Sequence, residues 1–127
     1  MKSKESLVRL KRFNVDEKRR QVGQIEAMIA EFEKMASDLA AQVAAEQKRT
    51  GIQDVEHFAF PTAARAAVQR RDNLKASADD LKAQLAAATT ELAEATSELE
   101  KVEALLQRDA VDRSGETPQH QTAAGGH

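Results

Sequence analysis

The heptad pattern predicts an all-α protein, a long antiparallel two-helix coiled-coil hairpin with a disordered C-terminal tail. Three observations carry this expectation. Charged residues make up 31% of the 127-residue chain and aromatics 3%, all of them Phe, with helix formers filling most of the rest. That composition suits long helices and leaves too little bulk for a large globular core. Two stretches repeat apolar residues every seven positions. Between and after them, Gly and Pro gather in a connection over 50–61 and a tail over 111–127.

The first helix is expected over about 3–49. Its a positions are Val8, Val15, Val22, Ile29, Ala36 and Val43, nearly all β-branched. Its d positions are Lys11, Lys18, Ile25, Phe32, Leu39 and Glu46, so the seam weakens toward the N-terminus. Gly51 is placed to end this helix as its C′ residue. Asp54 can cap a short turn, Pro61 cannot continue a helix, and Thr62 is the expected N-cap of the next one.

The second helix is expected over about 62–109. Arg71, Ala78, Leu85, Leu92, Leu99 and Leu106 fill its a positions. Ala67, Leu74, Leu81, Ala88, Ala95 and Val102 fill d. Folding the chain about Val55 sets a against d throughout, with Val43 facing Ala67 and Val8 facing Val102. Each arm then measures about 65–70 Å at ~1.5 Å per residue. Residues 1–110 form one unit. A seam so rich in Ala buries little, so dimerisation or partner binding is expected to complete its stability. Residues 111–127 lose the repeat, and His120 and His127 are read as solvated tail residues.

The residue types exclude several functions. Without Cys there is no disulfide or thiol chemistry, which fits a reducing compartment. No apolar run is long enough to span a membrane, and no signal peptide is recognisable. The carboxylates alternate with Lys, Arg and Gln, as on a solvated helix face. No phosphate loop, nucleophile elbow or metal-ligand spacing occurs, so no enzyme, cofactor or metal is expected.

Two places exceed a plain coiled coil. In the connection, His57, Phe58 and Phe60 either plug the open end of the coil or form a partner-binding knob. Near the N-terminus, Leu10 and Phe13 fall at c and f, away from the seam. Leu105 lies off the seam on the second helix. Residues 1–20 hold eight Lys or Arg against three acids, whereas 21–47 hold five acids against one Lys. Leu10 and Phe13 are thus ringed by Arg9, Lys11, Arg12, Arg19 and Arg20. Apolar groups outside the seam mixed with cations point to a partner with an acidic rim and an apolar interior. A local phase change at a fraying end is the alternative.

Three blocks in this order, "LVRLKRFNVDEKRRQV", "HFAFPT" and "QRRDNL", resemble the flagellar export protein FliJ family in its alphaproteobacterial form. The resemblance covers about residues 1–108. It implies a non-enzymatic, stalk-like component of the flagellar type III protein export apparatus, serving flagellum biogenesis, motility and chemotaxis. The implied partners are the export ATPase ring, the cytoplasmic domain of the export gate and export chaperones. The implied location is cytoplasmic and peripheral at the inner face of the cell membrane, and the end bearing both termini would sit in the ring. Tyr and Trp are absent, so no gate-contacting residue is carried over. The competing expectation is a generic coiled-coil adaptor, or a nucleic-acid binder using the basic arm. A basic-region zipper, however, needs a parallel leucine seam, and here the d positions beside the arm are Lys.

Overall fold

The computed structural model describes residues 2–115, and they form two long helices packed against each other as a helical hairpin. Helix α1 is Lys2–Thr50 and helix α2 is Thr62–Gly115. The heptads account for what is buried. On α1, Val8, Val15, Ile29, Ala36, Leu39 and Val43 are buried, and on α2 Ala67, Ala78, Leu81, Ala88 and Ala95. Leu85, Leu92, Leu99 and Leu106 occupy seam positions too, yet each is only half-buried. A helix pair has a single shared seam. Its alanines let the backbones approach and vanish between them, while longer side chains lean past the seam edge.

The chain divides into two compact units. Among the described residues, one joins α1 up to Arg20 with α2 from Thr89 onward. In it Lys11 pairs with Glu98 at 2.7 Å, Lys18 with Glu91 at 2.9 Å, Arg12 with Glu103 at 3.1 Å, and Lys4 with Asp109. The predicted fold-back sets Lys11 beside Leu99 and Lys18 beside Leu92, one residue from the acids they reach. These lysines, expected to weaken the seam, instead lie half-buried across it with their ammonium groups on the partner helix.

The other unit is Gln21–Ala88. Leu39, Val43, Phe60, Ala64 and Ala67 form its buried cluster, with Ile52, Val55, Val68 and Leu74 against it. Val43 and Ala67, predicted to face each other, both belong to this cluster. Lys82 pairs with Glu33 across the helices at 2.8 Å.

Three expectations are corrected. Helix α2 runs on to Gly115, so residues 111–115 belong to it and not to the tail. Losing the heptad removes a partner for the helix but does not end its hydrogen bonds. The rest of the predicted tail, with His120 and His127, lies outside the described residues. Thr62 is not the cap, because the Pro61 carbonyl accepts the first intrahelical bond, from Arg65 N–H at 3.0 Å. Phe60, proposed for partner binding, is buried at 2% exposure.

Candidate partner-docking surfaces

In the N-terminal stretch of α1, Leu10 and Phe13 are each 60% exposed, as their c and f positions require. Leu7 and Leu105 are exposed apolar residues of the same unit. The expected basic ring separates into two kinds of residue. Lys11 belongs to the seam through Glu98, and Arg12 reaches across to Glu103. Arg9, Arg19 and Arg20 stay on their own helix. Arg9 donates to the Ser6 hydroxyl at 3.3 Å, Arg19 lies 3.7 Å from Asp16, and Arg20 pairs with Glu17 at 2.5 Å. Glu17 hydrogen-bonds and holds charge beside Arg20, which raises the pKa of that guanidinium. These exposed i,i+3 pairs stabilise little and open readily to a competing anion. Arg9, Leu10, Phe13, Arg19 and Arg20 therefore form the exposed part of this end that carries no ion pair to α2, with Arg12, also exposed, paired at its edge.

The connection is held by a residue that the sequence reading did not single out. Arg65, in the first turn of α2, donates from Nε to the Val55 carbonyl at 3.1 Å. Its terminal nitrogen donates to the carbonyls of His57 at 2.9 Å and Phe60 at 3.4 Å. One guanidinium thus fixes three loop carbonyls, using the fan of donors that only Arg provides. Asp54 forms the expected turn: its Oδ1 accepts from Glu56 N–H at 2.9 Å and its carbonyl from His57 N–H at 3.0 Å. His57 Nδ1 accepts from Ala59 N–H at 3.0 Å, and its ring stacks on Phe58 with centroids 4.6 Å apart.

The two readings of this loop each describe one phenylalanine. Phe60 plugs the coil. Phe58, two residues earlier, is 91% exposed and is presented on a backbone locked by Arg65. Such preorganisation lowers the ordering cost of binding through the ring.

Among the described residues, no group of His, Asp and Glu is arranged to hold a metal, and no helix is long and apolar enough to cross a membrane. No family model, curated protein or solved structure matches the chain.

Proposed function

We propose that this protein is a non-enzymatic component of the flagellar type III export apparatus, a coiled coil that couples the export ATPase ring to the export gate and escorts export chaperones. The reading rests on the resemblance of its three sequence blocks to the FliJ family. The observation that carries it is the off-seam exposure of Leu10 and Phe13 beside Arg9, Arg19 and Arg20. Those residues are not needed to hold α1 to α2, so they are free to enter an acidic-rimmed apolar socket of the ATPase ring. The protein then works at the inner face of the cell membrane by association with the apparatus. Phe58 offers a second contact, to the gate or a chaperone.

The nucleic-acid reading is weaker because four of the eight cations in residues 1–20, Lys4, Lys11, Arg12 and Lys18, pair with acids on α2. That leaves half of the arm's cations for the phosphate contacts that drive such binding. The test is the purified chain mixed with its cognate export ATPase. Binding with a rise in ATP hydrolysis or ring assembly is expected, and both should be lost in L10S/F13S. Absence of binding, or retention of duplex DNA in its place, overturns the proposal.

A further inference from the structure

Helix α1 carries a second apolar stripe that the first does not require. Ile25, Met28, Phe32, Met35 and Leu39 recur at alternating intervals of three and four residues, the spacing of a coiled-coil seam. The d residues Ile25, Phe32 and Leu39 are shared with the seam to α2, whereas Met28 and Met35 sit at g. Met28 is 44% exposed and Met35 37%, and Ile25 and Phe32 are only half-buried. At the matching g positions of α2 stand Ser77 and Gln84, both exposed and polar, which do not cover the methionines. A helix with two overlapping seams is built to contact two helices, and α2 fills only one of them.

The charges beside this face point to the missing helix. Glu31 lies between Met28 and Met35 on α1, three residues after one and four before the other. Asp80 holds the same position between Ser77 and Gln84 on α2. Both are exposed, and neither has an ion pair among the described residues. The open face is therefore an apolar stripe with an unpaired carboxylate on each helix. Packing the α1 stripe against its own copy, antiparallel, would set Glu31 against Glu31 or Asp38, a like-charge clash that disfavours an antiparallel homodimer here. Methionine's flexible thioether side chain fits partner surfaces of varied shape.

We propose that this face of residues 21–88 binds an amphipathic helix of a partner protein whose apolar stripe is flanked by Lys or Arg. The helix lies along Met28 and Met35, and its cations meet Glu31 and Asp80. The inference uses none of the residues on which the export reading depends and stands or falls separately from it.

The experiment uses the full chain and two fluorescent 21-residue synthetic helices sharing a Leu stripe at three- and four-residue spacing, one flanked by Lys and Arg, the other by Glu. Anisotropy titration is expected to show the basic helix binding at least tenfold more tightly. M28S/M35S should reduce that binding at least tenfold with helical circular dichroism unchanged. E31K/D80K should reverse the preference toward the acidic helix. Equal binding of the two helices, no response to M28S/M35S, or an unchanged preference in E31K/D80K each overturns the proposal. So does a parent chain that sediments as a dimer dissociated by M28S/M35S, because the occupant would then be a second copy.

Discussion

The two units hold the same helices together by different means. In the unit containing the N-terminus, Lys4, Lys11 and Lys18 stand at successive d positions and reach acids on α2, so charge closes a seam built on Val8, Val15 and Ala95. In the unit of residues 21–88 the d positions are Ile25, Phe32 and Leu39, and Phe60 and Arg65 lock its loop. One lesson is that a regular heptad does not imply uniform cohesion. The ion-paired unit should yield to salt and acid, whereas the apolar unit should yield to cavities.

The sharpest way to break this contrast is Phe60→Ala. Emptying a site that is 2% exposed should cost about 3–5 kcal/mol. Urea unfolding followed by circular dichroism should record it, and a loss below ~1 kcal/mol would mean the loop cluster is not the anchor.

Next in size is the response of the ion-paired unit to acid. Hydrogen bonding from Lys11, then its charge, lowers the pKa of Glu98. Lys4 does the same to Asp109. A carboxyl whose folded pKa is depressed contributes stability above its unfolded pKa and loses it as pH falls through the folded value. Amide exchange over α1 residues 5–18 should therefore accelerate below the ordinary carboxylate range, relative to residues 30–45, after correction for the intrinsic pH dependence of exchange. Raising NaCl to about 1 M at neutral pH should act in the same direction. Equal acceleration of both stretches would erase the distinction.

Gly23→Ala sharpens the comparison from the stabilising side. Gly23 is helical and a methyl there meets nothing within 4 Å. The substitution should add about 0.5–1 kcal/mol and raise Tm by a few degrees, read by thermal melting. The smallest effect on stability belongs to L10S/F13S. Both side chains are 60% exposed, so unfolding should shift by no more than ~0.5 kcal/mol. A larger shift would place Leu10 and Phe13 in the fold and not at a docking surface.

The seam was legible because the seven-residue period is a property of the sequence alone, and it brings Val43 and Ala67 into one buried cluster. The ion pairs were half legible. Lys11 and Lys18 stand out as poor d residues, and Glu91 and Glu98 repeat at the same interval of seven, but only the packed helices bring the two series together. Arg65 left no signal, because its acceptors are backbone carbonyls whose directions exist only once the loop has folded. Phe58 and Phe60 share a side chain and a tripeptide, and only the path of the loop decides which one is swallowed. The second stripe of α1 was visible in the letters, yet Met28 and Met35 fall outside the a and d positions. They gain meaning once α2 is seen to leave them bare.

Helix α1 ends at Thr50, and the next residue, Gly51, has a φ of 75°, the only positive value among the described residues, with open space around it. An added methyl would collide with no neighbour, so the restriction there comes from torsion and not from crowding. The chain's turn away from α1 is in this sense a matter of handedness, decided by the one amino acid that has none.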